Sequence, residues 1–170
     1  MANKINVDSI ILNNENLYID EENISKIIAE GVCEINLFNS NIINLDIDVK
    51  TKSTLIINYF SLIKKRESNI KINAHNKSRV VFNHSFKNLD VYNLNIMTNF
   101  LGEEASITVN LNGLNDGGKC TLDVNGYVNT NKINNVLDEN MKVVNLNNGT
   151  AVSNPNMYID TSKVIANHNT

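Results

Sequence analysis

The chain has 170 residues and a net charge of −3, which fits one domain without the clustered basic face that duplex nucleic acid requires. No apolar run reaches the roughly 20 residues of a membrane-spanning helix, and the first residues lack the apolar region of a signal peptide. Two cysteines, Cys33 and Cys120, are too few for a disulfide framework. We therefore expect a soluble cytoplasmic protein with no membrane or nucleic-acid partner. It should form a single domain over residues 1–170, with 1–31 as an N-terminal cap or extension.

The first candidate element is a short helix near residues 21–30. Asp20 is a suitable N-cap, and Ile24, Ile27 and Ile28 follow at helical spacing. Gly31 is a suitable stop. The pattern favours this helix over the alternative, a turn followed by a strand around Ile27.

Short apolar runs with alternating polarity make up most of the remaining chain, and short polar stretches separate them. They cover residues 34–38, 44–49, 55–60, 69–73, 79–83, 106–111, 120–125 and 142–146. Most of the stretches between them are too short for helices. This arrangement predicts an all-β protein.

A weak internal repeat runs through these strands: a small residue leads into an apolar run that often closes on Asn. Copies begin near Ser53, Ser78 and Ala105, and Gly118 could begin a fourth. The first three lie about 25 to 28 residues apart, a period typical of solenoids. Because a single coil cannot bury its apolar face alone, neighbouring coils must stack.

The repeat predicts a parallel β-helix in which residues 53–60, 78–83 and 105–111 occupy equivalent positions on successive coils. An antiparallel β-sandwich is the alternative fold. The predicted core consists of Leu55, Ile57, Val81, Ile107, Val109, Leu122 and Val124.

Asn makes up about a fifth of the chain. One explanation is a genome rich in A and T, which favours Asn codons. The other is structural, because Asn tolerates left-handed backbone in turns and stacks into ladders where strands lie in register. The composition is compatible with both.

The usual catalytic motifs are missing: there is no phosphate-binding loop, dinucleotide fingerprint, His-Glu-x-x-His or nucleophile elbow. We therefore expect that the protein is not an enzyme. His75 and His84 lie in polar contexts and are predicted to be turn or surface residues. Asp46 and Asp48 share one strand face, which is predicted to be solvent-facing rather than a cation site.

Both cysteines enter predicted strands, where a free thiol usually acts as a small buried apolar group. Cys120 follows Lys119, and a cationic neighbour stabilises the thiolate that a metal needs. Cys120 is therefore the better of the two candidates for a metal ligand.

The C-terminal quarter contains Ser153-Asn154-Pro155-Asn156-Met157-Tyr158-Ile159, followed by Val164 and His168. This segment resembles the SufB/SufD family, the scaffold proteins of the SUF system for iron–sulfur cluster assembly. Its members carry Ser-x-Pro-x-Leu-x-Ile and then Val-x-x-x-His, and here Met157 replaces the Leu. The resemblance implies a right-handed parallel β-helix and a non-enzymatic scaffold or accessory subunit.

The resemblance also implies a site. His168 would lie at a subunit interface as an iron or cluster ligand, with the remaining ligands supplied by a partner. The cofactor would be iron or an iron–sulfur cluster, bound transiently and only with that partner, or there would be none. Ala166 stands where SufD-type members have a Cys.

The implied partner is another SUF β-helix subunit, in a homodimer or heterodimer that pairs through the C-terminal coil. The SUF ATPase subunit is a further candidate, although the helical region that docks it in the family has no counterpart here. We therefore expect a shortened or divergent member. The alternative function is a β-helical structural or interaction module with no metal role. A polysaccharide-binding or -cleaving β-helix is a weaker alternative, because the chain has no Trp and few aromatic residues.

Overall fold

The computed structural model describes residues 6–7, 9–20, 23–40, 42–128, 134–159 and 164–169. These residues form strands and turns, with no helix that could cross a membrane. The strands are β1 (Asn6–Val7), β2 (Ile10–Asn13), β3 (Asn16–Asp20), β4 (Asn23–Ile24), β5 (Lys26–Glu30), β6 (Val32–Phe38), β7 (Asn44–Val49), β8 (Thr54–Ala74), β9 (Arg79–Phe100), β10 (Ser106–Asp116), β11 (Lys119–Val128), β12 (Asn135–Leu146), β13 (Thr150–Ile159) and β14 (Val164–Asn169).

The strands build two parallel stacks that share one core. The first stack runs β3, β6, β8, β9, β10, β12 and β14, and uses the first halves of β8 and β9. The second stack runs β2, β5, β7, the second halves of β8 and β9, β11 and β13. The chain passes from one stack to the other and returns one level higher. The predicted parallel β-helix is confirmed.

The internal repeat marks one corner of the solenoid. Thr54 pairs with Arg79, which pairs with Ser106, so the three predicted strands occupy equivalent positions on successive coils. The residue two places before each has positive φ: 60° at Lys52, 57° at Lys77 and 54° at Glu104. The small residues Ser53, Ser78 and Ala105 follow at the buried inside of this corner.

The suggested fourth copy at Gly118 is wrong. Residues 119–127 pair with 91–99 in the second stack, not with the first-stack strand β10. The next equivalent of Ser106 is Val136. It follows the buried Asn135, whose amide accepts from Ala105 N and donates to Gly102 O, so a larger polar group closes the same corner.

Side chains alternate between the core and the outside along every long strand, as the pleat requires. Six of the seven predicted core residues are fully buried. The prediction for the seventh, Val81, is wrong, because this side chain is only half-buried. Val81 faces outward because Val80 and Phe82 on either side fill the core. Three consecutive apolar residues leave the phase of a strand undecided, and here the larger Phe side chain is the inward one.

The predicted helix near 21–30 is also wrong. Residues 23–24 and 26–30 are strands, while 21–22 lie outside the described residues. Ile27 and Ala29 point inward and pair with Ile47 and Val49 of the next coil. An isolated helix of this length is marginal, so the pairing available in the stack outweighs the helical spacing of three Ile residues.

The solenoid widens from its N-terminal to its C-terminal end. Equivalent Asn residues on successive first-stack coils are 22, 25, 27 and 30 residues apart. At the bend that joins the two stacks, equivalent positions are 12 residues apart from Val32 to Asn44, 15 from Thr54 to Asn69 and 16 from Arg79 to Asn95. Gly126 keeps the stacks in contact in the wider part, because a Cβ there would lie 2.4 Å from Leu137 Cδ2.

The inward and outward phases can be tested on two adjacent residues. Ile57 is fully buried, whereas its neighbour Ile56 points outward and is half-buried. We expect Ile57→Ala to lower the free energy of unfolding by about 2–4 kcal/mol, and Ile56→Ala by less than about 1 kcal/mol. Chemical denaturation measures both. Equal losses would contradict the assigned strand phase.

Candidate functional site

A ladder of side-chain amides crosses the outside of the first stack. Its rungs are Asn36, Asn58, Asn83, Asn110 and Asn140. Each Nδ2 donates to the Oδ1 of the preceding coil over 2.8 to 3.0 Å. At the donor end, the Glu34 carboxylate accepts from Asn58 at 3.0 Å and from Asn36 at 3.4 Å. The amide N–H groups of the ladder therefore point toward the end at which the negatively charged Glu34 lies.

A second ladder crosses the outside of the second stack. Its rungs are Asn44, Asn69, Asn95, Asn125 and Asn156, with bonds of 3.1 to 3.5 Å that again run toward the preceding coil. Beside it, Asn154 donates to Asp123 at 2.8 Å. The depression around these rungs is the polar groove. It is lined by Glu67, Asn69, Asn93, Leu94, Asn95, Asp123, Asn125, Asn154 and Asn156.

Aromatic and polar side chains form a buried cluster where the chain bends between the stacks. Tyr59 Oη donates to Ser40 O at 2.7 Å and accepts from Arg66 Nη1 at 2.7 Å. The His84 ring stacks on Tyr59 at 4.3 Å and meets Tyr92 edge-on. Its Nε2 lies 2.9 Å from Tyr92 Oη, and its Nδ1 lies 3.3 Å from Tyr59 O.

These contacts define the protonation of His84. Because the Tyr59 carbonyl can only accept, Nδ1 donates to it, and Nε2 accepts from the Tyr92 hydroxyl. Burial lowers the pKa of His84 to about 3 and raises that of Tyr92, so both groups are neutral at physiological pH. The prediction of His84 as a turn or surface residue is wrong. The alternation of Phe82, His84 and Phe86 was the signal that places it inside.

His75, Asp46 and Asp48 lie on the outer face, unlike the buried His84. His75 is partly exposed, and its Nε2 lies 2.7 Å from Asp48 Oδ1. Burial opposes ionisation of Asp48, but hydrogen bonds from Lys50 and His75 outweigh it and lower the pKa of this carboxyl. Asp46 accepts from Asn73 at 2.8 Å. These groups are paired on the outer face and do not converge on a common point.

An apolar groove lies beside the bend on the first stack, and we call it the side groove. Its floor is Phe86, whose ring occupies the space above Gly113: a Cβ on Gly113 would lie 2.4 Å from Phe86 Cζ. Its walls include Phe60, Leu62 and Val144, which are 42, 47 and 48% exposed. Four consecutive coils contribute to it, through Phe60, Ser85, Asn112 and Lys142 in register.

The two predicted metal ligands lie in different stacks. Cys120 is the second residue of β11 in the second stack. It is buried and lies in register with Tyr92 and Ala151. Burial raises the pKa of its thiol to about 12, which disfavours the thiolate form that binds metals. His168 belongs to β14 in the first stack and pairs with Glu139. Burial raises the pKa of the Glu139 carboxyl to about 7.

Within the described part of the chain, the donor side chains do not come together as a metal site. No group of three or more His, Cys, Asp or Glu side chains with metal-binding geometry occurs in the described ranges. The register pairs His168 with Glu139, and imidazole and carboxylate are both suited to iron.

Comparisons with family models, with curated proteins and with solved structures gave no match for this chain. The resemblance to the SufB/SufD family therefore rests on the C-terminal residues alone, and it stays a prediction.

The neutral state of His84 predicts how stability depends on pH. Since its pKa is lower in the folded protein than in the unfolded chain, the unfolded chain binds more protons between about pH 6.5 and 3. His84 therefore lowers stability as the pH falls through this range. Glu139 acts in the opposite direction, because its raised pKa lowers stability as the pH rises toward 7.

Comparison with His84→Phe isolates the His84 contribution. At pH 7 the variant should be the less stable protein, because Tyr92 loses its acceptor. The difference should shrink by up to about 1.4 kcal/mol per pH unit as the pH falls from about 6 to about 4. Urea denaturation at a series of pH values measures this. A difference that stays constant with pH would contradict a neutral, buried His84.

Proposed function

We propose that the chain is a non-enzymatic β-helical interaction module that pairs with a second copy of itself through the side groove. The observation that carries this proposal is the row of exposed apolar side chains at one side of the bend. Leu89 and Leu146 lie outside the groove but are also exposed, by 40 and 44%. An exposed apolar groove of this kind typically marks an interaction surface, and the Lys87–Asp116 ion pair lies beside it.

The direction of the row favours a second copy. Its members follow the solenoid axis, from Phe60 and Leu62 at the earlier coil to Val144 at the later one. Two copies related by a twofold axis would place the early end of one row against the late end of the other. Such an isologous contact is the commonest closed arrangement of protein subunits.

The C-terminal edge is less suited to pairing than the sequence suggested. Thr150 N donates to Gly118 O, so the even-numbered residues of β13 face β11 and the odd-numbered ones face its other edge. Pro155 lies on that other edge and has no N–H to donate. Proline on an edge strand hinders the addition of another strand. This supports a contact through the side groove rather than through β13.

The proposed pairing is tested by the molar mass in solution. We expect a dimer by light scattering at high micromolar concentration, and a monomer for Leu62→Glu combined with Val144→Glu. Val32→Glu is the matched control, since Val32 is 69% exposed on an earlier coil away from the groove, and it should stay dimeric. A monomeric wild-type protein, or a dimer that survives the double substitution, would rule out the proposal.

A scaffold role in SUF-type iron–sulfur cluster assembly is the second candidate. Its support is the C-terminal resemblance, which gives His168 the role of an iron ligand, and imidazole suits iron. Iron would be cargo shared with a SUF β-helix partner. Cys120, with its raised pKa, is the weaker ligand of the two that the sequence singled out.

The scaffold role is tested by iron retention after anaerobic purification with a SUF-type partner. If iron is held at this position, His168→Ala should reduce partner-dependent iron by at least about tenfold, the loss of a good ligand. His75→Ala is the control, because His75 is partly exposed on the outer face. His84 is unsuitable as a control, since its substitution would disturb the core. The same iron content in both variants would remove the argument for a metal role.

A further inference from the structure

The polar groove differs from the rest of the surface in the chemistry of its lining. Eight of its nine lining residues carry a side-chain amide or a carboxylate, and the ninth, Leu94, is buried beneath them. The groove lies on the second stack, and no side-groove residue belongs to it. Ligand binding in the polar groove is therefore independent of the proposed pairing.

The ladder leaves half of each amide's hydrogen-bonding capacity available. An Asn side chain has two N–H donors and two acceptor lone pairs. Asn95 and Asn125 each use one donor toward the preceding coil and one lone pair toward the next. Asn95 and Asn125 thus each offer one further N–H and one further lone pair to the groove. A hydroxyl group, which both donates and accepts, satisfies such a pair.

The side-chain amides of the polar groove also repeat from coil to coil, and the ladder holds them in place. Neighbouring parallel strands are about 4.7–4.9 Å apart, and this spacing repeats at each coil. The sugar rings of an extended polysaccharide repeat over a similar distance. Because the ladder already holds the amides, binding would cost little side-chain entropy.

The charge of the lining and the residues that flank the polar groove limit the class of ligand further. Glu67 and Asp123 are the charged groups in the lining, so an acidic polymer would be repelled. Tyr127 and Tyr158 stack at 5.0 Å in the next outward positions of β11 and β13 and are 41 and 56% exposed. Such rings provide apolar contact for the faces of sugars.

We propose that the polar groove binds an extended, neutral polysaccharide, with its sugar hydroxyl groups bonded to successive rungs. The sequence counted against a carbohydrate ligand because aromatic residues are few. The groove supplies amides in register in place of most of the aromatic platform. This is a binding role and requires no cleavage of the polymer.

The test is calorimetric titration of the full chain with hexamers of β-linked glucose, mannose and N-acetylglucosamine, with hexagalacturonate as the acidic probe. At least one neutral hexamer should bind, and the corresponding dimer should bind at least about tenfold more weakly, because it spans fewer coils. No binding of any neutral hexamer at millimolar concentration would overturn the proposal. Preferential binding of hexagalacturonate would overturn it too.

Variants separate binding from ladder stability. Asn93 lines the groove but is not a rung, so Asn93→Ala should weaken binding about tenfold without a change in melting temperature. Asn95→Ala removes a rung inside the groove, and Asn83→Ala removes a rung of the first-stack ladder. Both should lower the melting temperature, but only Asn95→Ala should weaken binding. Equal affinities for all three variants would overturn the proposal even if the wild-type protein binds sugars.

Discussion

The structure depends on the in-register stacking of parallel coils. Each residue of a coil lies above its equivalent on the coil before, so that like side chains meet: Ile on Ile inside, and Asn on Asn outside. Apolar columns bury their members, and amide columns satisfy one another's hydrogen bonds. The outer amides donate toward the preceding coil in both ladders, and chains of aligned hydrogen bonds polarise one another. Glu34 lies at the donor end of the first ladder, where a negative charge is favourable.

A third column of Asn side chains lies at the bend between the stacks, where Asn88 and Asn115 are buried. Asn88 donates to Asn115, and Asn115 donates to Asn145, which is the opposite direction to the outer ladders. These amides also donate to backbone carbonyls of the turn, including Lys119 O and Gly118 O. Gly118 O also accepts from Thr150 N, so the amide adds a second hydrogen bond at this carbonyl. Stacked Asn therefore closes the turn that lets the coils widen.

Much of the fold could be predicted because a solenoid repeats local rules. The small residue before each strand was visible in the sequence, and it marks the corner where Lys52, Lys77 and Glu104 adopt positive φ. The two explanations for abundant Asn are not exclusive, but the ladders and the positive-φ turns at Asn39 and Asn147 give the composition a structural use. The prediction of a helix near 21–30 was wrong because the spacing of nearby residues carries no information about whether a strand is available to pair with this segment. The prediction of Val81 as a core residue was wrong because a run of three apolar residues does not show which of them point inward.

The candidate sites were less predictable, because they arise from what the register brings together. Residues of the polar groove are up to 89 positions apart, between Glu67 and Asn156, and no local motif joins them. The pairing of Glu139 with His168 likewise follows only from the alignment of β12 and β14. A local signal that was missed is the inward phase of His84 between Phe82 and Phe86.

A solenoid repeats along one axis, and this determines the kind of ligand its surfaces suit. A globular pocket converges on one small molecule, whereas each column here presents the same group at every coil. An amide column fits a polymer of repeated hydroxyl groups, and an apolar row along the axis fits the same row on another copy. The two grooves lie on different stacks, so occupation of one leaves the other accessible. Pairing through the side groove would then double the polar grooves in the assembly, and two linked grooves hold a polymer more tightly than one.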